Sequence, residues 1–149
     1  MQIKEELKQI CLNRIQAKID ETDSRISSLQ KDLGSETKSS AGDKHETGRA
    51  MIQLEMEKES QKLKSFASMR SALYRMDLEN QSELVRLGSL VKTSISNYFI
   101  SASLGVLKAG HESYFAISLQ SPIGQLLLGK KEGDSIHFNG REIQINSIS

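Results

Sequence analysis

Asp43 and Glu46 are the side chains of this chain best placed to do chemistry. They are carboxylates three positions apart in GSETKSSAGDKHETGR (residues 34–49), a stretch whose only hydrophobic residue is Ala41. Mg2+ is a hard ion that takes one or two carboxylate oxygens and keeps several waters. Two carboxylates at this spacing could share one ion, or one could hold it while the other orients a water. Asp-x-x-Glu ahead of a helix is also a capping box, in which Asp43 caps the first turn and Glu46 reaches back to its backbone N–H. The two readings are compatible, because a cap can fix a carboxylate in place. Lys44 and His45 lie between the acids, and Arg49 follows His45 by one turn. By themselves these three read as solvated side chains.

The rest of the chain holds little that could react. Cys11, the single cysteine, sits on an apolar helical stripe and reads as core rather than nucleophile. With one cysteine no intramolecular disulfide can form, which fits a reducing compartment. His111 in a turn and His137 in a strand have no Cys or His near them in sequence, so a metal site there is not expected. The later glycines do not form a strand–loop–helix phosphate cradle. Lys130 and Lys131 follow a short helix, where cations complement its dipole.

The elements that must position Asp43 and Glu46 are two long helices. Residues 2–33 contain neither Gly nor Pro. Ile15, Ile19, Ile26, Leu29 and Leu33 repeat in steps of four and three with Thr22 filling one place, which is a heptad seam. Ile3, Leu7 and Cys11 extend it backwards in steps of four, so the seam drifts slightly. In residues 50–78, Ile52, Met56, Leu63, Phe66 and Leu73 return at helical spacing, with Glu59 and Arg70 filling in. Two such helices joined by a polar turn should fold back as an antiparallel hairpin, with the turn at about 34–49.

From Leu87 the pattern becomes short, β-branched and aromatic: LGSLVKTS, NYFISA and ESYFAISL, with SLG and KAG as turns. In SPIGQLLLG, Ser121 reads as an N-cap, Pro122 as the first helical residue and Gly129 as the closing residue. Asn139-Gly140 between SIHF and REIQINSI is a strong hairpin signal. The expected fold is α+β: a helical hairpin over 1–78, a linker over 79–86, and a small, mostly antiparallel β domain with one short helix over 87–149.

Composition sets limits on partners. The 149 residues carry 20 basic and 19 acidic side chains, for a net charge of +1. Residues 1–78 hold 14 basic and 13 acidic groups, and residues 79–149 hold six of each. Neither half is an electrostatic trap for nucleic acid, which needs a basic patch or stripe. No apolar run approaches the ~18 residues that span a membrane, and MQIKEELKQI lacks the apolar core of a signal peptide. A cytoplasmic protein with no membrane partner is expected.

These residues together resemble the GreA/GreB family of bacterial transcript-cleavage factors. Its C-terminal domain has a hydrophobic strand running into Ser-Pro-Ile or Ser-Pro-Leu, a short helix ending in Leu-x-Gly-Lys, and an acidic residue before a final hairpin. Here these are Ser121, Pro122, Ile123, Leu128, Gly129, Lys130, Asp134 and the Asn139-Gly140 hairpin. The family's coiled-coil tip carries Gly-Asp-x-x-Glu, matched by Gly42, Asp43 and Glu46. The resemblance covers nearly the whole chain. It departs where the family runs Asn-Ala-Glu-Tyr after the tip and this chain has Thr47, Gly48, Arg49 and Ala50, and it lacks the family's Thr-x-x-Gly opening.

The resemblance implies a C-terminal domain similar in fold to FK506-binding proteins and an RNA polymerase partner whose secondary channel admits the hairpin. It implies that Asp43 and Glu46 act as catalytic and metal-ligating groups within the polymerase's two-metal site, beside the 3′ end of backtracked RNA. The protein would then be no enzyme by itself and hold no tight cofactor, the Mg2+ being the polymerase's. Lys44, His45 and Arg49 at the tip, and Ser121, Pro122, Ile123, Lys130 and Lys131 in the second domain, become the expected partner contacts. Two alternatives stand beside this: a channel-occupying modulator or inhibitor without cleavage, and a helical-hairpin chaperone or scaffold. An independent prolyl isomerase would rest on fold analogy alone.

Overall fold

The computed structural model describes residues 2–37, 42–79 and 82–149, the side chains of residues 2, 36, 37 and 42–45 excepted. The breaker-free start of the chain forms α1, Gln2–Thr37, and the second periodic segment forms α2, Gly42–Arg75. They run antiparallel. The Arg70 guanidinium donates to Gln16 Oε1 at 2.8 Å, the Lys18 ammonium stands 5.8 Å from the Phe66 ring centroid, and Arg25 Nε donates to Glu59 Oε2 at 3.0 Å. Residue numbers rise on α1 as they fall on α2, and the pairs centre near Gly42.

The polar stretch 34–49, expected to be a turn throughout, is helical at both ends: α1 runs on to Thr37 and α2 starts at Gly42. Glu, Thr, Lys and Arg are ordinary helix residues, and no proline interrupts them. Gly34 and Gly48 oppose helix there, at about 1 kcal/mol each, while Gly42 stands at the start of α2, where glycine is tolerated. Those costs do not stop α1 short of Thr37 or keep α2 from starting at Gly42. Residues 38–41 lie outside the described set.

Leu90–Thr93 (β1), Asn97–Ile100 (β2), Gly105–Ala109 (β3), Glu112–Ile117 (β4), Ser135–Phe138 (β5) and Arg141–Ile148 (β6) form one sheet in the order β3-β4-β2-β1-β6-β5. Neighbours are antiparallel except β2 and β4, which pair in parallel, Tyr98 opposite Phe115. The short helix α3 is Pro122–Leu127. Strand β3 is an element that the sequence reading passed over, since GVLKA stands between two turn signals and is half polar. Its register with β4 explains it: Leu107 pairs with Tyr114, and both are buried on one face. Asn139 (φ 53°) and Gly140 (φ 75°) close the β5–β6 hairpin with two left-handed residues, as a tight two-residue turn requires.

Val91, Tyr98, Ile100, Ile136, Ile143 and Ile145 form a core on one sheet face together with Ile123 and Leu127 of α3. Val85 belongs to it as well, 1% exposed. The segment expected as a linker, 79–86, is therefore partly built into the domain. Leu84 bridges to Lys131, and the Val85 N–H donates to Lys130 O at 2.8 Å while its carbonyl accepts from Gly129 N at 3.0 Å. A valine with both backbone groups paired and its side chain covered is anchored to the domain and is no free tether.

The chain divides into two compact units: residues 1–14 with 72–149, and residues 15–71. In the first, α1 contributes the fully buried Leu7 and Cys11. Cys11 Sγ lies 3.8 Å from Ser101 Oγ, and Arg14 donates to Leu104 O at 2.9 Å. Lys4 and Lys8 reach carbonyls just past the end of α2, Lys8 Nζ donating to Met76 O at 3.3 Å. Lys4 Nζ makes a long contact of 3.5 Å to Leu78 O, and burial pushes its pKa down. Helix ends leave such carbonyls without intrahelical partners.

Candidate functional site

The start of α2 carries the carboxylate pair. Since α2 begins at Gly42, Asp43 lies in its first turn and Glu46 one turn on, and positions three apart share a helix face. Acidic groups there meet the positive end of the helix dipole. Glu46 and Thr47 are exposed and Arg49 is half-buried. The side chains of Asp43, Lys44 and His45 lie outside the described residues, so the ligand, cap and partner-contact readings of those three do as well. Among the described residues no group of three or more His, Cys, Asp or Glu side chains is arranged to hold a metal.

The second group of expected contacts surrounds α3. Ser121 is its N-cap: its Oγ accepts from Gly124 N at 3.1 Å and donates to Ser118 O at 2.6 Å. Pro122 fills the first helical position, where its missing N–H costs nothing. Gly124 is required by this turn, because a Cβ there would collide with the Ser118 carbonyl oxygen. Gly129, at φ 77°, ends the segment. Lys131 is exposed and its N–H donates to Asp134 Oδ2 at 3.0 Å, while Lys130 is half-buried.

Ile123 departs from the expectation of a partner contact. It is only 9% exposed and packs in the core, because positions 123 and 127 share the inward face of α3. The outward apolar side chains are Leu126 and Leu128, 38% and 49% exposed; Leu128 belongs to the family pattern, and neither was among the expected contacts. The run LLL offers no polar residue by which to tell its buried member from its exposed ones. Ser121, Pro122, Lys130 and Lys131 are brought onto one turn–helix–turn segment of the sheet unit, whereas Asp43 and Glu46 belong to the hairpin unit.

Comparison with known proteins adds little. Neither a protein-family model nor a curated protein matches this chain. Among solved structures it is similar to one described as "Structure of the transcription factor Gfh1", at 21% identity over 92% of each chain with a TM-score of 0.38. A likeness that weak carries no argument about activity or partners. The α+β architecture stands on the elements described above, and none of its helices among the described residues is long and apolar enough to cross a membrane.

Proposed function

We propose that this protein is a transcription elongation factor, acting in the cytoplasm, that inserts its hairpin tip into the secondary channel of RNA polymerase and stimulates cleavage of backtracked RNA. The observation that carries this reading is the position of Asp43 and Glu46 at the start of α2, at the far end of an antiparallel pair of helices of 36 and 34 residues. At 1.5 Å per residue each helix is about 50 Å long, enough to carry a side chain deep into a channel. The resemblance of Gly42-Asp43-x-x-Glu46 and of Ser121–Asp134 to the GreA/GreB pattern supports the same reading.

Asp43 is the proposed ligand to an Mg2+ ion shared with the polymerase, and Glu46 its helper, holding the ion or orienting the attacking water. Such an ion stabilises both the attacking and the leaving oxygens of the phosphodiester. The hairpin supplies position: the two helices hold the acids at fixed height. Lys44, His45 and Arg49 are suited to the phosphates of extruded RNA. Ser121, Pro122, Lys130 and Lys131 are suited to the channel rim.

The test is RNA cleavage in stalled, backtracked complexes of the cognate polymerase with Mg2+, with Asp43→Ala and Glu46→Ala compared against wild type. Release of short 3′ fragments by wild type alone, at equal binding, supports the reading. Binding without cleavage by wild type makes the protein a channel-occupying modulator, which the Thr47–Ala50 departure favours. A second reading, a hairpin that grips partners through apolar side chains, is favoured by Met51 and Leu54, 67% and 56% exposed and within three turns of Glu46. In that case polar substitution at Met51 and Leu54, and not at the carboxylates, abolishes binding.

A further inference from the structure

The hairpin carries a charged layer midway along its length. Glu59 of α2 is buried at 5% exposure, and Thr22 of α1 is fully buried. The Glu59 carboxylate accepts from Arg25 Nε at 3.0 Å through Oε2 and from Lys62 Nζ at 3.2 Å through Oε1. Arg25 also reaches Thr22 Oγ1 at 3.4 Å and Glu21 at 3.4 Å, and Thr22 Oγ1 donates to Lys18 O at 2.7 Å. Lys62 and Arg25 are both about half exposed, so each shields one side of Glu59 while keeping part of itself in water. A carboxylate on an apolar seam is costly unless all its lone pairs are used, and an apolar residue would fit the seam pattern better. What a buried polar residue contributes in coiled coils is register.

We infer that the Arg25–Glu59 layer fixes the axial register of α2 against α1, and through it the height at which Asp43 and Glu46 stand. The alternatives show why. If α2 slid one turn so that Glu55 faced Arg25, Glu59 would face Glu21, a buried carboxylate against a like charge. Sliding by three the other way sets Lys62 against Arg25, and by four it sets Leu63 against Arg25 and Glu59 against Leu29. Each one-turn slip therefore strands Glu59 or opposes like charges. The apolar seam alone does not discriminate as sharply, since Ile26, Leu29, Ile52, Met56 and Leu63 interchange at small cost. A one-turn slip moves the tip acids by about 5.4 Å along the axis, more than a metal ligand can tolerate. Arg25 and Glu59 are positioning residues for the proposed cleavage function, and this second step rests on that reading.

The experiment uses full-length protein spin-labelled at Ala17→Cys on α1 and Glu57→Cys on α2, both exposed sites well separated along the axis, with buried Cys11 left in place. Electron–electron distance distributions and transcript cleavage are measured for the parent and for Arg25→Leu/Glu59→Leu. The apolar pair is expected to remain as thermally stable as the parent, yet to show a second distance displaced by about one helical turn, with cleavage at least tenfold lower at unchanged polymerase binding. A single parental distance in the apolar pair overturns the register inference whatever the cleavage result. A shifted distance with a parent that cleaves nothing keeps the register and sinks the cleavage reading instead. Should the apolar pair fail to fold, Glu59→Gln, which keeps size and an acceptor oxygen but removes the charge, is read by the same distances.

Discussion

The two units solve the problem of a unique structure differently. Among the described residues of Ile15–Ser71 the buried ones are Ile15, Ile19, Thr22 and Glu59, two apolar and two polar. The sheet unit buries large apolar side chains on both faces, Phe99 and Tyr114 on one and Ile143 and Ile145 on the other. A sheet between two packed layers fixes its register through side-chain alternation, because a one-residue slip turns every side chain to the wrong face. A two-helix seam covers its side chains from one direction only, so Ile26, Leu29 and Leu33 stay half-buried and specify little. Polar groups must do there what packing does in the sheet.

If that contrast is right, the largest effects follow core truncation in the sheet unit. Phe99→Ala should lose about 4 kcal/mol in urea unfolding, whereas Leu29→Ala on the hairpin seam should lose roughly 1 kcal/mol. Comparable losses would break the comparison. Next comes Gly124→Ala, whose added Cβ meets the Ser118 carbonyl, a backbone atom that cannot step aside. It should cost about 3 kcal/mol and lower the melting temperature of the sheet unit, leaving hairpin helicity in circular dichroism unchanged.

The smallest effect is the most specific. Hydrogen bonding from Arg25 holds the Glu59 carboxyl below the ordinary glutamate value, assisted by Lys62. The unfolded chain therefore takes up this proton first as pH falls. Stability from Glu59 is complete above the unfolded value of about 4.3 and is lost as pH drops through the lower folded value. Acid titration followed by helicity should show a component below about pH 4.3 that disappears in Glu59→Gln. A titration identical in the two proteins would leave the charged layer without energetic weight.

Much of this architecture could be read from residue order, and the misses share a cause. The heptad stripe predicted α1, and Thr22 was assigned its place on the seam from spacing alone. Glu59 was likewise assigned to the seam, yet spacing says nothing of how deeply a charge is buried, since that depends on Arg25 arriving from the other helix. The extent of the turn at 34–49, the strand GVLKA, the core position of Val85 and the inward face of Ile123 were missed because composition describes a segment by itself. Three of these are decided by a partner in another element: Tyr114 for Leu107, Lys130 for Val85, and the core around Ile143 for Ile123. At the tip, Asp43 and Glu46 were legible as a motif.

Cys11 has a further consequence. It is the chain's only thiol, wholly covered, and burial pushes its pKa up, so an alkylating reagent can reach it only when the first turns of α1 lift away from Ser101. Its rate of modification is then a clock that counts such openings. The molecule contains, without any engineering, a probe of how often its N-terminal helix lets go.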